Sequence, residues 1–339
     1  MLFTGGGASE GVALSDALAV AALKNKVMIS LIQMQYVVAV DTYRHFATAA
    51  EKCFVSQPTL SMQLKKMEEE LGLVLFDRSR QPVVPTEAGK KVVEQCRFVL
   101  QEAERIERIA QEAKEEISGE FRIGIIPTIA PYLLPLFAGE FKRKYPSIHL
   151  IVQEVVTEQI EELLQKDLLD AGILVTPLHN PNVIEQPLYY EEMMIYVNSH
   201  HPLSSKSVIK VNDIATSDIW LLSDGHCFRH QVINLCELES LESDLPFDFE
   251  GGSLDTIMKI IDKEGGFTLI PELAGIEMSS SDEHKIRHFT NITPLREVSL
   301  VYTRRFAKAK MIDFLAESII ASIPEQLTDK ERGTIVEWR

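Results

Sequence analysis

The chain has 339 residues, 45% apolar and 25% charged, which supports full-sized cores in two or three domains and excludes a disordered polymer. Its net charge of −16 argues against binding nucleic acid or membrane through the whole surface. No apolar run approaches the roughly 20 residues that span a bilayer. The N-terminus lacks a basic signal-peptide start, and the four cysteines form no secreted-type framework; the expectation is a cytoplasmic protein without membrane contact.

Charge is unevenly spread. Between Met34 and Lys91 there are 8 Lys and Arg against 7 Asp and Glu, so a near-neutral module that can bind DNA locally is joined to an acidic body. Ahead of it, residues 1–27 carry Gly5-Gly6-Gly7 and other small residues and read as a disordered extension, with Met28 a plausible internal start. Periodicity then predicts a helix over 31–43, with Leu31, Tyr36, Val37 and Val40 on one side. A second helix over 46–54 carries Ala47, Ala49 and Ala50 for close packing. Ser56 is positioned to cap a third helix, Pro58 is tolerated in its first turn, and Gly72 ends it. That helix buries Leu60, Leu64, Met67 and Leu71 and presents Thr59, Met62, Lys65 and Lys66, with Gln57 at its start. A strand at 73–76, a turn with Arg78, Arg80 and Pro82, and Val83-Val84 make a wing.

Thr86 caps a helix over 87–117. Val92, Cys96, Val99, Ala103, Ile106, Ala110, Ala113 and Ile117 recur in it at alternating spacings of 4 and 3, the seam of a coiled-coil dimer. From Gly119 strands and helices alternate as βαβ units: strands at 121–126, 149–155 and 171–175, helices near 129–144 and 158–166. Strands at 193–197, 219–222, 247–250, 267–270 and 298–302 follow, with helices at 254–263 and 309–321; two α/β lobes fit this order better than one sheet. Thr128 and Thr157 fall at carboxyl ends of strands, where open α/β sheets bind ligands; the alternative is ordinary helix N-capping.

Asp224-Gly225 reads as the start of a helix holding Cys227 in its first turn and Cys236 nine residues later. The helix dipole, His226 and Arg229 would favour a Cys227 thiolate. Along a continuous helix the two sulfurs lie roughly 13 Å apart, whereas a disulfide needs Cα atoms within about 7 Å. The pair therefore joins only if the segment unwinds. Two inert buried thiols, or a zinc site with His226 and His230, are the alternatives; Cys53 and Cys96 read as packing residues. No P-loop, HExxH, GxSxG or CxxC motif is present, and neither cofactor nor metal is expected.

Residues 47–64, Ala-Thr-Ala-Ala-Glu-Lys-Cys-Phe-Val-Ser-Gln-Pro-Thr-Leu-Ser-Met-Gln-Leu, resemble the helix-turn-helix of LysR-type transcriptional regulators. Leu71-Gly72, Leu75-Phe76-Asp77-Arg78 and Pro85-Thr86-Glu87-Ala88-Gly89 continue the likeness. Ile125-Ile126-Pro127-Thr128, Pro131-Tyr132-Leu133-Leu134-Pro135 and Asp224-Gly225-His226-Cys227-Phe228-Arg229 with Cys236 are similar to the peroxide-sensing members of that family, except that His230 replaces the acid that follows the arginine. The resemblance implies an α/β chain with four parts. These are an N-terminal winged helix-turn-helix over 28–86, a coiled-coil linker helix over 87–117, a two-lobed periplasmic-binding-protein-like regulatory domain over 118–325, and a tail over 326–339. It implies Cys227 as peroxidatic and Cys236 as resolving thiol, with Thr128, Thr157, His226 and Arg229 lining the peroxide site. Ser56, Gln57, Thr59, Met62, Gln63, Lys65, Lys66 and Arg78 would meet DNA. The implied partners are promoter DNA, hydrogen peroxide, RNA polymerase, cellular thiol reductants and further copies of the chain, as a homodimer through the linker helix and a homotetramer. The chemistry would serve signalling and not enzymatic turnover. A regulator responding to a small organic effector, with inert cysteines, is the alternative.

Overall fold

A computed structural model describes residues 29–112, 118–206, 209–214, 218–236, 245–279, 282–303 and 309–337. The expectation for residues 1–27 lies outside them. The chain divides into two compact units, one up to Ile106 and one from Glu107.

In the first unit, α1 (Leu31–Tyr43) opens with a capping box in which Ser30 and Gln33 satisfy each other's backbone N–H. α2 (Phe46–Lys52) follows, then α3 (Gln57–Leu71), capped by the Ser56 hydroxyl accepting from Thr59 N and closed by Gly72 at φ +64°, a left-handed turn that favours glycine. Val37, Val40, Ala49, Ala50, Leu60, Leu64 and Met67 pack into one core. Leu31 departs from expectation and is exposed. The wing is also shorter than its apolar residues suggest: β1 (Phe76–Asp77) pairs antiparallel with β2 (Val84–Pro85), while Leu73 and Val74 stay exposed. The cause is the helix end. Leu73 N donates to Glu68 O in the C-cap, and the Glu68 carboxylate accepts from Leu75 N and Phe76 N before a strand can begin.

α4 (Glu87–Glu112) begins where the Thr86 hydroxyl accepts from Gly89 N. Cys96 is buried in the core of the winged unit, and Arg97 beside it pairs with Asp41 at 2.9 Å. Further along the seam Ile106 is 71% exposed; the side chains of Ala110, Ala113 and Ile117 lie outside the described residues.

In the second unit the elements are β3 (Gly119–Ile125), α5 (Ala130–Lys144), β4 (Ile148–Glu154), α6 (Thr157–Gln165), β5 (Ala171–Thr176), β6 (Val183–Val197), α7 (Cys227–Cys236), α8 (Leu254–Glu264), β7 (Phe267–Pro271), α9 (Glu272–Ile276), β8 (Ile286–Arg287), β9 (Pro294–Thr303), α10 (Ala309–Ser322) and β10 (Thr334–Ile335). β4, β3 and β5 are parallel, as the βαβ pattern requires, and the strand order β4-β3-β5-β9-β6-β7 places β9 antiparallel beside β5. β6 joins the lobes: Val183–Glu192 pairs with β9, and Met193–Val197 pairs with β7.

Three expectations change. β6 and β9 are far longer than 193–197 and 298–302, because charged residues that break the apolar pattern, Glu191, Glu192, Arg296 and Glu297, sit inside the strands. Residues 219–222 contribute a single bridge, Ile219 to Phe267, and 247–250 form no strand; Phe247 instead packs its ring 5.2 Å from Trp220. The C-terminal tail is built into the fold, with Leu327 buried and β10 parallel to the start of β9.

Candidate functional site

α7 begins at Cys227 and ends at Cys236, both free thiols and both buried. The chain reaches it through Gly225 at φ +89°, a conformation that favours glycine. His226 then lies against the face of Gly252, where a Cβ would come within 2.8 Å of Nε2. Asp224 does not precede the helix as a cap; its carboxylate pairs with Arg229 Nε at 2.9 Å.

The cation whose charge acts most on Cys227 is neither of its sequence neighbours. Arg229 Nη1 donates to Leu222 O at 3.0 Å. Burial holds the His226 imidazole below its ordinary pKa, with Glu158 pulling the other way. The charge comes from Arg296 on β9, which is fully buried. Its Nη2 and Nε reach Glu191 Oε1 at 2.6 and 2.7 Å. Nη1 and Nη2 donate to Thr128 Oγ1 at 3.1 Å and Thr128 O at 3.0 Å. The guanidinium also stands 5.1 Å from the Phe228 ring centroid. Glu191 and Arg296 face each other across the β6–β9 ladder.

Burial pushes the Cys227 thiol up; Arg296 and the Thr157 hydroxyl act against that, favouring the thiolate. Of these influences desolvation is the largest. Cys236 has no such opposition, and burial raises it to about 12. Burial likewise raises the Glu191 carboxyl, with Arg296 pulling it back.

Thr128 and Thr157 are both buried, and neither caps its helix. α5 is preceded by Ile129 and α6 by Val156, without side-chain caps. Thr128 accepts from Arg296. The Thr157 hydroxyl makes no hydrogen bond of good geometry, yet its polarity acts on Cys227. Beside them a cavity of about 410 Å³ is lined by Pro127, Val155, Val156, His226, Gly252, Ser253 and neighbours. It opens at the carboxyl ends of β3 and β4 and the start of α8. Asp255, which also lines it, accepts from Tyr132 Oη at 2.8 Å. Among the described residues no cluster of His, Cys, Asp and Glu could hold a metal ion, and no helix is long and apolar enough to cross a membrane.

On the winged unit Gln57, Met62, Lys65 and Lys66 are exposed on α3. Lys65 and Lys66 lie 3.6 and 3.9 Å from Glu69 and Glu70. Ser56 spends its hydroxyl on Thr59. Gln63 is half-buried. Arg78 donates to Glu68 at 2.7 Å and stacks 5.2 Å over Phe46, fixing the wing to α3.

The chain belongs to the LysR family of bacterial regulatory helix-turn-helix proteins: residues 31–90 match that family's helix-turn-helix and residues 114–319 its substrate-binding domain. It is a DNA-binding transcriptional regulator in class. Within the family it is similar to the hydrogen peroxide-inducible genes activator of Haemophilus influenzae, 34% identical over 79% of this chain and 89% of that one. It is equally similar to the transcriptional dual regulator OxyR of Escherichia coli, 34% identical over 85% of this chain and 94% of that one. A full-length OxyR variant from Pseudomonas aeruginosa superimposes with a TM-score of 0.73, 31% identity, over 87% of this chain and 99% of that chain.

Proposed function

We propose that this protein is a hydrogen peroxide-responsive transcriptional regulator acting through Cys227 and Cys236. The observation that carries the reading is the placement of two buried free thiols at opposite ends of one helix, the first of them acted on by buried Arg296 and Thr157. Peroxide reaches Cys227 by the cavity beside His226. The thiolate attacks one peroxide oxygen, the O–O bond breaks, and the departing oxygen leaves as water with the proton the thiol gave up. Cys227 is then a sulfenic acid. Arg296 and Thr128 are placed to stabilise charge developing on the oxygens. The Thr157 hydroxyl, which acts on the Cys227 sulfur, can orient them, while His226, whose pKa burial lowers, can accept a hydrogen bond. Arg229 serves by holding Leu222 and Asp224, the segment that leads into α7.

The second step joins the sulfurs: the Cys236 thiol condenses with the sulfenic acid, giving a disulfide and water. It requires α7 to unwind, which also brings Cys236 into water and lowers its pKa toward the ordinary thiol range. Cellular thiol reductants reverse it by exchange. The remodelled regulatory unit alters the pairing of subunits, and with it how the winged units lie on promoter DNA and meet RNA polymerase. The linker seam with exposed Ile106 supports a homodimer, and a homotetramer through the regulatory units. Gln57, Thr59, Met62 and Gln63 on α3 read base edges, and Lys65 and Lys66 contact phosphates. The protein works in the cytoplasm, as a regulator and not as an enzyme.

In the test, Cys227→Ser abolishes the peroxide-dependent change in promoter binding while leaving basal binding; an undiminished response would refute the assignment. The cavity favours one second reading, a small organic effector held between the lobes. Titrating thiols before and after one equivalent of peroxide separates the two, since loss of two thiols belongs only to the first.

A further inference from the structure

α7 is tied to the C-terminal segment at two points, both between its cysteines. Gln231 is fully buried, and its Nε2 donates to Val336 O at 2.7 Å. One helical turn on, Asn234 Nδ2 donates to Glu337 O at 3.1 Å. The segment they grip is fixed on its other side to β9. Thr334 N donates to Thr293 O and Val336 N to Leu295 O, each at 2.8 Å. Arg332, just upstream, pairs with the Glu272 carboxylate, whose same oxygen accepts from Glu192 N. The strand therefore lies against β9 and holds α7 by two side-chain amides.

We infer that Gln231 and Asn234 are positioning residues for the disulfide step: by gripping the docked C-terminal strand they keep α7 wound and set how readily Cys236 reaches oxidised Cys227. This rests on the peroxide chemistry proposed above. Neither amide touches a sulfur. Both lie inside the stretch that must unwind before Cα atoms roughly 13 Å apart along a helix can approach within about 7 Å. Once it unwinds, positions 231 and 234 no longer share one face three residues apart, and both bonds to the strand break. Strand docking thus binds the dithiol form and not the disulfide form, and shifts the equilibrium toward the dithiol by its own binding factor. By the same linkage, oxidation by peroxide releases residues 334–337 from the helix.

The test uses the full chain in three variants: Gln231→Met, which keeps the length and loses the donor; Gly333→Ala, whose Cβ would fall 2.2 Å from Thr293 O and displaces the strand without touching α7; and the double variant. Each is equilibrated in dithiothreitol redox buffers and the Cys227–Cys236 disulfide fraction read by mass spectrometry. Each single substitution moves the dithiol–disulfide equilibrium about tenfold toward disulfide, the net worth of one or two hydrogen bonds, a midpoint about 30 mV more negative for a two-electron couple. The double variant moves it no further than the larger single. Unshifted midpoints, or effects that multiply in the double variant, would overturn the inference. Should Gln231→Met fail to fold, Asn234→Leu takes its place in the same cycle. Hydrogen exchange supplies an independent reading: displacing the strand by Gly333→Ala speeds exchange of the α7 backbone amides in the reduced protein, and unchanged protection counts against the clamp. A wild type that forms no Cys227–Cys236 disulfide with peroxide would sink the proposed chemistry itself, a result distinct from a normal disulfide with unmoved midpoints.

Discussion

Substituting Arg296 by Met is the most severe single perturbation the site allows without touching a cysteine. Arg296 and Glu191 are both fully buried, joined by contacts of 2.6 and 2.7 Å, and Thr128 loses the donor to both its oxygens. Removing one partner of a buried pair costs about 3–5 kcal/mol, since a charge is left without its counterion. The cost depends on pH. Burial already pushes the Glu191 carboxyl up, and without Arg296 it goes higher, so the folded variant binds a proton the unfolded chain has released above about pH 4.3. Stability of the variant therefore falls as pH rises, toward the folded pKa, and the deficit against wild type is larger at pH 8 than at pH 5.5. Urea unfolding of Arg296→Met, Glu191→Gln and the double variant, followed through buried Trp220, measures this. The double variant recovers at least half the loss, because the neutral amide no longer needs a cation. An Arg296→Met protein within about 1 kcal/mol of wild type, far below the range for broken buried pairs, would refute the assignment of Arg296 as the keystone of the site.

Because burial depresses the His226 pKa, its imidazole titrates below about 6.5 by NMR, and its contribution to stability is present above that value and is lost as pH falls through the folded pKa; a midpoint above 6.5 contradicts this. Ile106→Glu places a charge on the linker seam and turns the proposed dimer into monomer in sedimentation, while the winged unit, whose core lacks Ile106, stays folded. Replacing Lys65 and Lys66 by Ala weakens promoter binding for all sequences and lowers the slope of log K against log salt by about 1 for each phosphate no longer neutralised; an unaltered slope places them off the DNA.

The winged unit was the most legible part of the chain because its signals are local. Ser56 and Gly72 bracket α3 within one sequence window, and Leu60, Leu64 and Met67 mark its buried face. α7 was equally legible in its extent. The electrostatics of the site were not. Arg296 lies 105 residues from Glu191 and 168 from Thr128, and nothing near Cys227 in sequence announces it. Its signal was a charge inside an apolar strand: Arg296-Glu297 followed by Val298-Ser299-Leu300-Val301, and Glu191-Glu192 followed by Met193-Met194-Ile195. Charges so placed are almost never buried unless paired, and two such interruptions in separate strands could have been matched. Arg229, two residues from Cys227, was legible as a nearby cation, but its bonds to Leu222 O and Asp224 could not be read from proximity in sequence.

The burial of Cys236 at the far end of α7 also imposes an order of events. On the proposed chemistry Cys236, buried at the opposite end of the helix from Cys227, reaches it only once the helix unwinds, so the Cys227 sulfenic acid must wait. During that interval small thiols from solution compete for the same sulfur. The helix therefore acts as a clock: the ratio of its unwinding rate to the rate of interception decides whether an oxidation event ends in the internal disulfide or in a mixed disulfide on Cys227, and so makes the outcome depend on how reducing the cell is at that moment.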